Sequence, residues 1–165
     1  MSRARSLLCA LAVAWCVSPG GAAGTDPKGP PALKLSPSEK ELLELTNQAR
    51  KKADLPPLKP DPVLFAVARA HSANMAKKGQ MKHVLDGKDV DNRLDDAGYD
   101  FASAGENIGT ARKAPLAAVM KGWMESKGHR ENILKPKFEE IGIGIVEDGK
   151  GTTYYTQVFG RRRKE

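Results

Sequence analysis

The chain carries three histidines, few enough to weigh one by one. His83 falls in a polar stretch just after an apolar helical pattern, where packing does not call for it. His129 follows Gly128 and precedes Arg130. His71 sits on the apolar stripe Leu64, Ala68, His71, Met75, spaced four, three and four, and reads first as a core histidine with a hydrogen-bond partner. Two carboxylates accompany them. Glu106 stands in Gly105-Glu106-Asn107-Ile108, between small and apolar residues, so on burial it must meet a cation or cost stability. Glu125 lies near the end of a helical stretch, four residues before His129. There it faces the negative end of the helix dipole, a placement unfavourable by about 0.3–1 kcal/mol unless a histidinium or a metal offsets it. Two histidines and two carboxylates can hold a divalent cation, zinc above all, since imidazole and carboxylate both suit it. No His-Glu-x-x-His spacing is present, and a structural Glu106–His129 pair is the plainer alternative. Covalent catalysis has less support: Ser103 and Ser126 lack a Gly-x-Ser-x-Gly elbow. Gly142-Ile143-Gly144 lies inside a strand pattern with no helix after it, so it does not cradle phosphate.

The elements that must position these groups are legible from pattern. Ser36 or Ser38 caps a helix to about Ala53, and Ser38 with Glu41 has capping-box spacing. Pro56, Pro57, Pro60 and Pro62 force an extended connection. Asp61-Pro62 opens a second helix that Gly79 ends. Asp86-Gly87 marks a turn, and a short helix covers about 90–97. Residues 99–108 read as irregular, followed by a short strand. A third long helix spans about 114–126 with Leu116, Val119, Met120 and Trp123 inward, and 129–134 forms a further helical turn. Ile141, Ile143 and Ile145 alternate with glycines, a strand whose bare face lets a helix approach closely. A loop at 147–151 leads to a last strand over 152–159. Helices precede a small antiparallel sheet, an α+β arrangement.

Charge and cysteines depend on the N-terminus. Arg3, Arg5 and the apolar run 7–17 have the form of a secretory signal, with cleavage expected after Gly24 or Ala23. Cys9 follows Leu8 and Cys16 follows Trp15, neither the small residue that lipidation needs. The formal net charge is +7. Removing residues 1–24 leaves +5, of which 161–165 hold +3 and 25–160 only +2. A nucleic-acid role suggested by the basic total thereby loses most of its support. Both cysteines leave with the signal, so no disulfide is expected. No other apolar run is long enough to span a membrane. The expected organisation is a signal at 1–24, a Pro/Gly-rich linker at 25–37, a domain at 38–160 and a basic tail at 161–165.

Several short blocks occur in one order: Leu45-Thr46-Asn47-Gln48-Ala49-Arg50; Ala70-His71-Ser72; His83; Ala97-Gly98-Tyr99; Gly105-Glu106-Asn107-Ile108; Trp123-Met124; Gly128-His129-Arg130-Glu131-Asn132-Ile133-Leu134; Glu140-Ile141-Gly142-Ile143-Gly144; and Thr156-Gln157-Val158-Phe159-Gly160. Together, over about residues 40–160, they resemble the bacterial branch of the CAP superfamily (cysteine-rich secretory, antigen 5 and pathogenesis-related 1 proteins). The resemblance implies a three-layer α-β-α sandwich with a small antiparallel sheet. It also implies an open cleft in which His83, Glu106 and His129 match three of four positions that hold a divalent cation in some relatives. Relatives place the fourth three residues after the helical tryptophan. That position is Ser126 here; Glu125 comes one earlier, a rotation of about 100° on a helix.

Three functions follow as expectations. The first is a secreted, non-catalytic binding module whose cleft takes a lipid, a sterol or another extracellular ligand, with zinc as an optional anchor. The second is a metal-dependent hydrolase with Glu106 as general base. The third is attachment to an anionic surface through Arg161, Arg162, Arg163 and Lys164.

Overall fold

A computed structural model describes residues 33–164. The expected signal, the expected linker up to residue 32 and Glu165 lie outside the described residues. Helix α1 (Pro37–Lys52) is capped by Ser36, whose hydroxyl accepts from the Glu39 N–H while the Glu39 carboxylate accepts from the Ser36 N–H. The capping box is therefore Ser36/Glu39 rather than the equally spaced Ser38/Glu41. Pro37 favours the earlier start, and Arg69 holds the Glu39 carboxylate from the far side. Strand β1 (Lys59–Pro60) lies in the proline-rich connection. Helix α2 (Pro62–Lys78) begins on Asp61, which accepts from Val63 and Leu64 N–H, and ends on Gly79 in the left-handed region, as expected. Helix α3 (Val90–Asp96) is capped by Asp89.

Strand β2 (Phe101–Arg112) departs from expectation, running as one strand with a register shift between Phe101 and Ser103 where 99–108 read as irregular. Its Ala, Ser and Gly residues have little strand preference of their own, but all of it except Ala102 pairs antiparallel with the last strand. Helices α4 (Leu116–Glu125) and α5 (Lys127–Ile133) follow, then β3 (Glu140–Glu147) and β4 (Thr152–Arg162). The sheet order is β1-β3-β4-β2. It is mixed rather than wholly antiparallel, because the short β1 pairs parallel with β3. Strand β4 also continues past residue 160: Arg161 and Arg162 pair with Ser103 and Phe101. Arg162 bonds Asp61 and lies over the Tyr99 ring, and Arg163 bonds Asp100. Three of the four basic residues expected in a tail, Arg161, Arg162 and Arg163, are thus engaged within the fold.

Alternation along β4 separates the layers. Thr156 and Val158 face α2, through the Ser72–Thr156 bond and the cluster of Leu64, Val67 and Ala68. Gln157 and Phe159 face α1, α4 and α5, through the Gln157–Thr46 bond and the larger cluster with Leu42, Met120, Trp123 and Ile133. The result is the expected three-layer α-β-α sandwich. Gly142 and Gly144 lie on the α2 side, where a Cβ would fall inside the contact envelope of the Leu64–Phe65 and Ala68–Arg69 backbones. Helix backbone cannot yield as a side-chain tip can. Gly144→Ala is therefore expected to cost about 3 kcal/mol or more, measured as a lowered urea midpoint, whereas alanine at exposed Gly149 costs little.

Candidate functional site

The candidate residues gather around β2, the strand at one edge of the sheet. Glu106 projects toward α2, with its side chain only 2% exposed. Oε1 accepts from His83 Nδ1 at 2.9 Å, and Oε2 accepts from the Arg93 guanidinium on α3. His71 Nε2 stands 3.8 Å from Oε2 and donates to the Lys82 carbonyl at 3.1 Å. Its Nδ1 is buried and has no partner among the described residues. Arg93 also donates to the carbonyls of His83 and Lys88, so one guanidinium fixes both the carboxylate and the loop carrying His83. The sequence requirement that buried Glu106 meet a cation is met by an arginine.

The next residue along β2 faces the other way. Asn107 Nδ2 donates to the His129 carbonyl and to Gln157 Oε1, while Asn107 Oδ1 accepts from Asn132 Nδ2. Asn132 Nδ2 also donates to the Glu106 carbonyl, and Gln157 Nε2 donates to Thr46 on α1. These amides hold the start of α5, and His129 with it, against β2. The His129 ring lies 6.4 Å from the Trp123 ring, and the Trp123 indole N–H donates to the Ile108 carbonyl. Together they border a cleft of about 400 Å³ walled by Met81, Ile108, Ala111, Ala118, Val119 and Trp123. Its walls are mostly apolar, with His129 and Thr110 as polar members. A larger groove of about 770 Å³ along α1 has none of the candidate residues in its walls.

His83, Glu106 and His129 are thus neighbours around one strand edge, but Glu106 and the His129 anchor leave opposite faces of β2. Glu125 does not join them: its side chain is 67% exposed and lies 3.7 Å from Lys121, one helical turn back. Among the described residues, no three His, Cys, Asp or Glu side chains converge closely enough to hold a metal ion. As arranged, these residues do not fit an inner-sphere divalent cation, because Arg93 already neutralises Glu106 and the second carboxylate, Glu125, lies away from the site. Sequence reading missed Arg93, Asn107, Asn132 and Gln157. The only signal for Arg93 was the need of Glu106 for a positive charge; the amides lay inside recognised blocks without assigned roles.

Burial lowers the pKa of His71, with Glu106 opposing and Arg93 reinforcing the shift; burial and the nearby His83 lower that of His129. Both folded histidines resist a proton that the unfolded chain accepts. Stability from this source is complete above the unfolded value, about pH 6.5, and is lost as pH falls below it. The urea midpoint is expected to drop between pH 7 and pH 5, with a shallower drop in His71→Gln.

The family model for CAP, the cysteine-rich secretory protein family, matches residues 43–159. An uncharacterized protein, YkwD, of Bacillus subtilis is 42% identical over 127 residues, which are 76% of this chain and 48% of the relative. An uncharacterized membrane protein, YlbC, of the same organism is 38% identical over 76% of this chain and 35% of its own length. The chain therefore spans half or less of these curated relatives. A solved extracellular protein containing a SCP domain from Bacillus anthracis superposes with a TM-score of 0.68 at 30% identity, over 79% of this chain and 45% of that one. An outer surface protein of Borrelia burgdorferi has the same fold, with a TM-score of 0.71 at 22% identity over 75% and 92% of the two chains.

Proposed function

This chain belongs to the cysteine-rich secretory protein (CAP) family, and from that membership we propose that it is an exported, non-catalytic binding module. The proposed ligand is an apolar molecule of the lipid or sterol class, taken up in the cleft between β2 and α4. The observation that carries this reading is the cleft wall itself: Ile108, Ala111, Val119 and Trp123 form a preformed apolar surface of the volume typical of small-molecule sites, with His129 and Thr110 available to orient a polar end. Met81, 48% exposed at the rim, adds a flexible apolar contact. Export is supported by the signal-like N-terminus and by the extracellular relative. Among the described residues, no helix is long and apolar enough to cross a membrane. Hydrolysis with Glu106 as base has less support, because that carboxylate is buried and both its oxygens are already held by His83 and Arg93.

Trp123 provides the readout, since the only other tryptophan lies in the signal segment. Titration with a fatty acid and with cholesterol is expected to change its fluorescence saturably. Ala118→Glu, at an exposed position on the cleft wall, is expected to weaken that binding about tenfold or more, because it brings a charge against an apolar ligand. No saturable response to either ligand would remove the proposal.

A further inference from the structure

We propose that the Arg93 guanidinium is the resident cation of the Glu106–His83 site, standing where a divalent metal would otherwise be needed. This inference does not rest on ligand uptake by the apolar cleft. Glu106 offers two oxygens. One is committed to His83 Nδ1 at 2.9 Å and the other to Arg93, with His71 behind it at 3.8 Å. The two charged side chains are 2% and 13% exposed, so the pair is shielded from solvent. Arg93 cannot give up its proton to accommodate another cation. It also spans from Glu106 to the carbonyls of His83 at 3.1 Å and Lys88 at 2.8 Å, so displacing it would release the loop that presents His83. A metal ligating Glu106 would have to share an oxygen that already accepts a hydrogen bond, beside a fixed positive charge. The nitrogens left to an incoming ion are on His83, on His129 and at the buried Nδ1 of His71, with no carboxylate free of a cation beside them. Glu106 then acts as a positioning residue: it orients the His83 ring and is itself neutralised from α3.

Removing the guanidinium should convert the site. With Arg93→Met, Glu106 becomes a buried carboxylate without its cation, and a divalent ion becomes its replacement. The test is calorimetric titration of the purified protein with zinc chloride, alongside thermal unfolding in EDTA and in excess zinc. The wild type is expected to unfold within about 1 °C of the same midpoint in both media, and its zinc affinity to be unchanged by Glu106→Gln. Arg93→Met is expected to unfold several degrees lower in EDTA and to recover in zinc. Its zinc affinity should rise at least tenfold, and adding Glu106→Gln should abolish the gain. Arg93→Lys, which retains the charge, should show no gain. Stoichiometric zinc binding by the wild type that weakens tenfold or more in Glu106→Gln would overturn the proposal. A folded Arg93→Met protein without increased zinc affinity, or an Arg93→Lys protein with it, would do the same. Should Arg93→Met fail to fold, the wild-type, Glu106→Gln and Arg93→Lys titrations decide the matter.

Discussion

The arrangement of the site depends on one buried side-chain amide, that of Asn107. It is fully enclosed in the sandwich and meets a carbonyl of α5, the Gln157 amide of the neighbouring strand and the Asn132 amide. A buried amide left without partners costs about 1–3 kcal/mol, so each member of this network is held in place by the others. Through Gln157 the chain of bonds reaches Thr46, and through Thr46 the Leu42 carbonyl on α1. The first helix, the edge strand and the helix start that carries His129 are therefore tied together by polar contacts inside an otherwise apolar layer.

A second constraint supports the same layer. Arg50 is fully buried and donates to the carbonyls of Pro56, Ile133, Lys135 and Phe138, with no carboxylate among these partners. Burial lowers its pKa, but guanidinium remains charged at any physiological pH. Four carbonyl dipoles replace its lost water. They come from the proline connection ahead of β1, the end of α5 and the approach to β3, at positions that lie outside any strand ladder. The cation thus serves as a hub for backbone that has no ladder of its own.

Much of this fold is legible in the sequence because its signals are local. Asp61-Pro62 and Gly79 bound α2, and the Ile-Gly alternation over 141–145 places β3 and its bare face. What pattern does not reveal is decided by distant partners. The weakly strand-forming stretch 101–108 becomes β2 only because β4 lies beside it, and Arg161 and Arg162 join that strand rather than a tail for the same reason. At the site, residue types identified His83, Glu106 and His129, yet their sequence order could not show that alternation directs Glu106 and Asn107 to opposite faces. Glu125 occupies the helix that borders the cleft, but its angular position carries it to solvent beside Lys121. Arg93 acts from a short helix whose placement against β2 no local pattern encodes.

The two glycine seats in β3 are also a matter of measure. Gly142 lies under Leu64–Phe65 and Gly144 under Ala68–Arg69, so two strand steps answer four helix steps. The strand advances about 6.6–6.8 Å over that interval and the helix about 6.0 Å, which makes the two repeats nearly commensurate. Like a vernier, the pairing has one position where both marks coincide. Sliding α2 by a single residue would rotate a different part of its surface toward both glycines and spoil the fit at each. The Ser72 hydroxyl, bonded to the Gly144 carbonyl and to Thr156, locks the same setting one turn further on. The distance from His71 to the edge strand is thus set by the match of two periodicities, well away from the histidine itself.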